Sequence, residues 1–260
     1  LTMLGIIFGV ASVITMLSIG EGAKREAIAK YRDLGVNNII IREKNLSNSE
    51  LEEVRARFSP GLSLADAENI MAVVPGVDRT VSQAEKSLEV KYADKSVRST
   101  VVGVTPGYTD ILNYAVREGA FLTEGQYDSR LKVCVLGAGT AHALFGKASP
   151  VGQMVKIGDQ WLEVVGVLAS KTVFTETVGE LAARDLNTDV FIPLTTYLDR
   201  FPKENTLESE IRQITVHVTE SGRLMETSRL VTQILDRHHW GNADYSIVIP
   251  YELLKQEEKE

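Results

Sequence analysis

The first nineteen residues carry no charged side chain, and charges begin immediately afterwards with Glu21, Lys24 and Arg25. A helix of that length rises about 28 Å, close to the ~30 Å apolar thickness of a bilayer. A soluble core helix would show a polar face at helical spacing, whereas the polar side chains here are small hydroxyl residues at positions 2, 12, 15 and 18. The pattern therefore predicts a transmembrane helix over residues 1–20.

The residues of this stretch fit two other kinds of segment less well than a membrane helix. A cleaved secretory signal would carry a basic segment before a shorter apolar core, and no basic residue precedes the apolar run. A soluble core helix lacks support for the reason given above. Because the chain does not begin with Met, we expect it to be a fragment of a longer protein.

Charged and small apolar residues alternate at helical spacing over residues 21–35, and Gly35 is a suitable residue to end a helix. Glu26 and Lys30 stand four residues apart, as in ion pairs on a solvated helix face. This segment is predicted to continue the membrane helix as a stalk above the membrane surface.

A β-branched run over residues 38–42 predicts a strand. The polar segment 43–60 that follows is interpreted as a solvated loop with at most a short helix over 50–57, in preference to a partner contact. Ser63 and Asp66 have the spacing of a capping box and predict a helix with Ala67, Ile70, Met71 and Val74 on one face. Pro75 and Gly76 are expected to close that helix.

Alternating apolar and polar positions predict a hairpin over residues 80–92 and 96–104. Strand and helix patterns also occur near the other end of the chain. They predict a strand over 211–218, a helix over 221–239 and a strand over 245–249. The middle has its own set of elements, predicted as strands over 131–136, 153–157, 161–168 and 190–192 and short helices over 140–145 and 195–200. The polar stretch 170–187 is expected to be an irregular loop on the surface.

This order predicts an α+β fold, in which two halves of β-α-β units are interrupted by an inserted α+β subdomain. The net charge of −7 and the absence of a Lys/Arg cluster argue against a nucleic-acid partner. Cys134 is the only cysteine, so no disulfide can form within the chain, and a small buried apolar role is expected for it.

Two segments resemble phosphate-binding motifs but lack residues that those motifs require. Residues 135–142 read as a strand, a Gly-rich turn and a helix, but His142 occupies the third small position of a dinucleotide-binding turn and no acidic residue ends a second strand where one is required. Residues 141–148 resemble a Walker A loop in which Ala141 and Ala148 replace the first Gly and the metal-binding hydroxyl residue. We expect a structural turn here and no bound nucleotide.

The four histidines do not have the spacing of a metal site, because His238 and His239 point about 100° apart on a helix and no Cys pair accompanies them. Near a helix C-terminus they are expected to interact with the helix dipole. No nucleophile elbow is present, and Cys134 lies within an apolar strand. The sequence thus predicts no catalytic, cofactor-binding or metal-binding residue.

Within the apolar run, Gly5 and Gly9 form a G-x-x-x-G motif and Ser12 adds a small residue to much the same face. Small residues let two membrane helices approach closely. Gly5, Gly9 and Ser12 are therefore candidate helix-packing residues.

Three sequence segments, in order, resemble the MacB/FtsX-like family of ABC transporter permeases. They are LTMLGIIFGVASVITMLSIGEGAK at the start, VCVLGAGTAHALFG followed by PVGQMVKIGDQWLEVVGVL in the middle, and DVFIPLTT after them. Together they cover most of the chain, which is similar to the first membrane helix and extracytoplasmic domain of MacB-type permeases.

The resemblance implies a domain split into a porter-like part and an inserted sabre-like part. The expected boundaries are a transmembrane helix over 1–20, a stalk helix over 21–35, porter-like halves over 36–105 and 211–250, a sabre-like subdomain over 106–210, and the start of a returning stalk over 251–260.

The resemblance also implies a non-enzymatic, inner-membrane protein whose main domain is periplasmic. It would act as a homodimer in membrane lipid with an ABC ATPase domain or subunit that holds ATP and Mg²⁺, and with a periplasmic adaptor and an outer-membrane channel. Its expected function is to transmit ATP-driven motion for the export of antibiotics, peptides or similar cargo. The alternative is a membrane-tethered binding module of a lipoprotein-release or cell-wall-regulating permease.

Overall fold

The computed structural model describes residues 37–112, 114–170, 186–203, 205, 207–242 and 244–250, together with positions 12, 15 and 16. In this part of the chain the strands are β1 (Asn38–Glu43), β2 (Val77–Tyr92), β3 (Lys95–Val104), β4 (Val116–Gly119), β5 (Val133–Leu136), β6 (Met154–Ile157), β7 (Gln160–Leu168), β8 (Val190–Pro193), β9 (Gln213–Val218) and β10 (Tyr245–Val248). The α-helices are α1 (Asn48–Ala56), α2 (Leu64–Val73), α3 (Tyr108–Leu112), α4 (Glu124–Asp128), α5 (Ala138–Phe145), α6 (Leu194–Arg200) and α7 (Leu224–His238). Short 3-10 helices cover Leu186–Thr188 and Ser221–Arg223.

All of these strands belong to one sheet, in the order β10-β1-β9-β2-β3-β8-β5-β7-β4, with β6 paired to β2 and β7. Neighbouring strands are antiparallel except for the parallel pairs β3–β8 and β5–β7. The predicted mixed α+β class is confirmed. Strands drawn from residues 36–105 and 211–250 are neighbours on one side of the sheet, and β4, β5, β7 and β8 lie on the other. The boundaries of a porter-like and a sabre-like part stay a prediction.

Three helices begin with reciprocal capping contacts. Ser47 and Glu50 cap α1, Ser63 and Asp66 cap α2, and a Thr123–Gln126 pair caps α4. In each, a hydroxyl accepts from the backbone N–H three residues on, and the acidic or amide side chain accepts from the N-cap N–H, which satisfies donors that the first helical turn leaves free. The predicted capping box at Ser63 is confirmed.

The sheet buries apolar side chains on both faces. On one face, Ile39 and Ile41 of β1 pack with residues of α2 and α7, and the same core continues to α5 and α6. On the other face, a smaller core forms around Phe191 and is covered by α3. A fully buried aliphatic or aromatic side chain stabilises a fold by roughly 1.5–3 kcal/mol, so these two cores hold the layers together.

Several predicted details differ from the structure. Met71 was expected on the buried face of α2 but is 48% exposed, because it lies one 100° step beyond Ile70, at the edge of that face. There its sulfur accepts a hydrogen bond from Thr80 Oγ1 at 3.7 Å. The short helix predicted over 50–57 is present as α1, which begins two residues earlier and ends one residue earlier. The elements β4, α3 and α4 were not predicted. The predicted surface loop 170–187 lies largely outside the described residues.

Candidate functional site

The chain enters and leaves the described sheet at the same end. β1, which begins at Asn38, and β10, which ends at Val248, are adjacent and antiparallel, with Ile40 opposite Val248. β1 is also paired along its length with β9. At this end Asn38 Oδ1 is 2.9 Å from His217 Nδ1 and Asn38 Nδ2 donates to Ile111 O at 3.3 Å. The first strand is therefore held on both edges and against α3.

At the opposite end of this strand pair, a buried imidazole lies between two carboxylates. His239 follows the last residue of α7 and is fully buried. Its Nδ1 lies 2.8 Å from Asp244 Oδ1, and its Nε2 lies 3.6 Å from Asp66 Oδ2. Asp66 is fully buried in the first turn of α2, and Asp244 comes directly before β10. The cluster joins α2, α7 and β10.

Burial alone would lower the pKa of His239, but hydrogen bonding and the charges of Asp244 and Asp66 outweigh it and raise the pKa to about 9. For Asp66 and Asp244, burial favours the neutral acid, yet their histidine and serine partners hold both pKa values below the ordinary carboxyl value. At neutral pH the cluster therefore holds a buried imidazolium between two carboxylates.

A serine next to this histidine invites comparison with a catalytic triad. Ser59 Oγ lies 3.2 Å from His239 Nδ1 and donates to Asp244 Oδ2 at 2.6 Å. In a triad the serine and the aspartate contact opposite ring nitrogens, whereas here both contact Nδ1. Ser59 is also buried. The arrangement fixes three chain segments together and does not have the geometry for acyl transfer.

Arg55 extends this network to the segment that precedes β9. Its side chain is 14% exposed and lies 3.3 Å from Asp244 Oδ2. It donates to Ser59 O at 3.2 Å, Leu207 O at 2.9 Å and Ser209 Oγ at 3.2 Å. Glu43 accepts from Ser209 Oγ at 2.6 Å and lies 3.2 Å from Arg212. We call Glu43, Arg55, Ser59, Asp66, Ser209, His239 and Asp244 the buried ionic network.

The Gly-rich turn predicted to be structural lies against backbone from its own chain. Gly137 N donates to Asp189 O at 2.8 Å, and a Cβ at Gly137 would lie 2.4 Å from Asn187 O. Thr140 Oγ1 donates to Thr188 O at 2.8 Å. Segment 187–189 thus occupies the space that a pyrophosphate would need at this helix N-terminus.

The remaining candidate side chains are accounted for individually. Cys134 is fully buried, and burial raises the pKa of its thiol far above the ordinary value. His142 is exposed, and His238 Nδ1 lies 2.6 Å from Asp66 Oδ1. His238 and His239 were expected to interact chiefly with the helix dipole, but both contact carboxylates. Within the described ranges no group of three His, Cys, Asp or Glu side chains has an arrangement that could hold a metal ion.

Sequence reasoning identified Asp66 only as a capping residue and missed its contacts with His238 and His239. The one available signal was an acidic residue at the start of a predicted helix, and it carried no indication of partners near the other end of the chain.

Of the candidate helix-packing residues, Gly5 and Gly9 lie outside the described residues, and Ser12 is helical and exposed. The predicted transmembrane and stalk helices also fall outside, apart from positions 12, 15 and 16. In the ranges described, no helix has both the length and the apolar character to cross a bilayer.

Residues 1–234 match the family model of the MacB-like periplasmic core domain. The chain is 30% identical over 259 residues to the pyoverdine export ATP-binding/permease protein PvdT of Pseudomonas aeruginosa, an alignment that covers 100% of the chain and 36% of that protein. It is 27% identical over 248 residues to the macrolide export ATP-binding/permease protein MacB of Wolinella succinogenes, covering 95% of the chain and 36% of that protein. The chain thus spans about a third of the length of these relatives.

Two solved structures share the fold. The periplasmic region of MacB from Actinobacillus actinomycetemcomitans superposes with a TM-score of 0.69 at 21% identity, over 90% of this chain and 99% of that one. The extracellular domain of the noncanonic ABC-type transporter YknZ from Gram-positive bacteria gives a TM-score of 0.63 at 23% identity, over 82% and 100% of the two chains. At these identities the likeness establishes the fold.

Proposed function

The chain belongs to the MacB-like periplasmic core domain family, and on that premise we propose that it is the extracytoplasmic part of an ABC exporter permease that relays ATP-driven movement across the membrane. In this proposal residues 1–20 form one membrane helix, residues 21–35 and 251–260 form stalks, and the sheet is the periplasmic body that the stalks move. The names of the relatives, which are ATP-binding/permease export proteins, support it.

The observation that carries the proposal is the pairing of the strand that enters the sheet with the strand that leaves it. Because β1 and β10 are antiparallel neighbours, both connections to the rest of the protein lie at one end of the same strand pair. If both connections move in the same direction, this pair moves as a unit. If they move in opposite directions, the movement shears the ladder between them.

The buried ionic network supports the relay at the far end of that pair. Asp244, directly before β10, lies 2.8 Å from His239 at the end of α7, and His239 lies 3.6 Å from Asp66 in α2. Movement of β10 would therefore be passed to the helix layer through a buried charged contact, whose separation costs several kcal/mol. If only flexible loops connected β10 to the helix layer, movement of β10 would not be transmitted to the helices.

The partners follow from the same proposal. ATP and Mg²⁺ would be held by an ABC ATPase domain or subunit, the permease would form a homodimer, and a periplasmic adaptor and an outer-membrane channel would complete the export path. Antibiotics, peptides or similar molecules are the proposed cargo. The neighbouring positions of β10, β1, β9, β2 and β3 in the sheet support a porter-like part built from both ends of the chain.

The relay can be tested in the intact transporter by crosslinking at the point where the chain enters the sheet. Asn37→Cys places a thiol directly before β1, and Lys95→Cys places a matched control at the exposed first residue of β3. Cys134 is buried, so the introduced thiol is the reactive one in this chain. We expect the yield of crosslinked dimer at position 37 to differ between nucleotide-free and ATP-bound transporter. An identical yield in both states, with intact ATP hydrolysis, would overturn the relay.

A second candidate function is a membrane-tethered binding module in a lipoprotein-release or cell-wall-regulating permease. One observation favours it: two large aromatic side chains, Phe58 and Trp240, are exposed at the end of the sheet away from the chain connections. In this case, glycine substitutions at those two positions should abolish the cellular phenotype while crosslinking at position 37 remains responsive to ATP. An unchanged phenotype would exclude this second function.

A further inference from the structure

Two helices of this domain end in the same unusual way. α1 is followed by Arg57 and then by Phe58 at φ 67°, and α7 is followed by His239 and then by Trp240 at φ 54°. This left-handed position after a helix is normally occupied by Gly, since a side chain there costs about 1–2 kcal/mol. After each of these two helices, an aromatic residue occupies a position whose backbone conformation favours glycine.

Packing inside the domain does not explain these two rings. Phe58 is 78% exposed and Trp240 is 72% exposed, so neither gains much from burial. Their ring centroids lie 6.4 Å apart with the planes tilted by 55°. Non-glycine residues in strained backbone conformations cluster at functional sites when the surrounding structure holds them in place.

The surrounding structure does hold this pair in place. Ser59, next to Phe58, lies 3.2 Å from the ring of His239, which is next to Trp240. Asn242 Nδ2 donates both to Arg57 O at 3.4 Å and to His239 O at 2.9 Å. The buried ionic network thus lies directly beneath the two aromatic residues and fixes the turns that present them. A surface fixed in this way loses little conformational entropy when a partner binds.

The helix that leads to Phe58 is predominantly acidic on its exposed surface. α1 exposes Glu50, Glu52 and Glu53, and of these Glu53 is paired with Arg57. Across the pair, Asp236 and Arg237 at the end of α7 offset one another. An exposed apolar pair at the end of an acidic helix favours a partner that carries an apolar side chain with basic residues near it.

We propose that Phe58 and Trp240 form a docking surface for a second extracytoplasmic polypeptide, which packs an aliphatic or proline side chain against both rings and places Lys or Arg residues near Glu50 and Glu52. Aromatic side chains dominate the energy of protein interfaces, because they offer a large rigid contact area. The surface lies at the end of the β1–β10 pair opposite the chain connections. The inference does not depend on the relay.

The test uses the full 260-residue chain and the fact that it contains two tryptophans, Trp161 and Trp240. In a Trp161→Phe variant, Trp240 is the sole tryptophan and reports directly on the proposed surface. The probes are an array of acetylated heptapeptides with Leu, Ile, Pro or Ala at the centre and either Lys/Arg or Glu at the flanking positions. We expect saturable changes in Trp240 emission with basic apolar peptides. Their acidic counterparts should bind with an affinity at least roughly tenfold lower.

Glycine variants separate binding from folding. Phe58→Gly and Trp240→Gly suit the left-handed backbone, so we expect an unchanged or higher melting temperature together with loss of peptide binding measured by calorimetry. Glu52→Lys should weaken binding of the basic peptides, whereas Glu124→Lys, an exposed position on α4, should not.

Three outcomes of the peptide experiments would overturn the proposal. They are peptide binding that survives both glycine substitutions, equal binding of acidic and basic peptides, and an emission change at Trp161 in a Trp240→Phe variant equal to that at Trp240. Self-association of the chain that disappears in the glycine variants would instead assign the surface to a second copy of this chain and would also overturn it.

Discussion

Asp66 and Asp244 lie on opposite sides of the buried ring of His239, at 3.6 Å from Nε2 and 2.8 Å from Nδ1. The two carboxylates come from distant parts of the chain, one from the first turn of α2 and the other from the residue before β10. Arg55 supplies a second positive charge 3.3 Å from Asp244. The buried charges are therefore close to balanced, which is the condition under which such groups are tolerated inside a protein.

Replacing His239 should destabilise the domain strongly. His239→Ala leaves Asp66 and Asp244 buried without their shared cation, and removal of one partner from a buried ion pair costs about 3–5 kcal/mol. We expect a loss of that size in the free energy of unfolding, measured by urea denaturation followed by circular dichroism. His142→Ala is the matched control, because His142 is exposed, and it should change stability by less than about 0.5 kcal/mol. Equal effects of the two substitutions would contradict the charged cluster.

The same cluster predicts a dependence of stability on pH. The pKa of His239 rises from 6.5 to about 9 on folding, so its contribution is fully present below pH 6.5 and is lost as the pH rises through about 9. The difference in pKa corresponds to on the order of 3 kcal/mol. Asp66 and Asp244 have lowered pKa values, so their contribution is present above 3.8 and is lost as the pH falls further.

We therefore expect a plateau in the free energy of unfolding between about pH 4 and 6.5, followed by a decline toward pH 9. Urea denaturation across this range measures it. In a His239→Gln variant the decline between pH 6.5 and 9 should be much smaller, because the titrating group is gone. A decline of the same size in the variant would assign it to another group.

Arg55 and Arg57 provide a matched pair two residues apart on one segment. Arg55 is largely buried and donates to Leu207 O, Ser59 O and Ser209 Oγ, whereas the side chain of Arg57 is 65% exposed and pairs with Glu53. Arg55→Ala should cost about 2–4 kcal/mol, because buried acceptors and Asp244 lose their partner. Arg57→Ala should cost less than about 1 kcal/mol. Limited proteolysis of segment 43–60 should accelerate only in the Arg55 variant.

The turn at Gly137 offers a test of its structural role. A Cβ there would lie 2.4 Å from Asn187 O and 2.9 Å from Asp189 O, and backbone atoms cannot move aside cheaply. Gly137→Ala should therefore destabilise the domain by about 1–3 kcal/mol in thermal unfolding. Gly125→Ala is the control, since nothing lies within 4 Å of its added Cβ. A silent Gly137→Ala substitution would show that segment 187–189 does not pack against this turn.

The regular part of this fold could be predicted from the sequence because each element carries its own local signal. Alternation identified β2, β3 and β9, and the predicted helix over 221–239 contains α7. The short strand β4 and the short helices α3 and α4 could not be predicted, because four or five residues are too few for a period to be recognised.

The candidate site was harder to predict because its members are brought together only by the sheet. Asp66 and His239 are adjacent because α2 and α7 pack on the same face, and no local pattern encodes that neighbourhood. The exposed turn residues Phe58 and Trp240 also contradict a local rule, since glycine is the expected residue at both. Sites at which local preference fails are often the functional ones.

The position of β1 between β9 and β10 has a consequence for how the domain is made. β1 is the first strand of the sheet along the chain, yet both of its neighbours lie beyond residue 212. Until those late residues have been synthesised, β1 has no strand to pair with, and the side chains of Ile39 and Ile41 stay without their packing partners. Contacts so distant in sequence form slowly and leave apolar segments open to aggregation. The sheet can therefore close around β1 only after the late strands β9 and β10 have been synthesised.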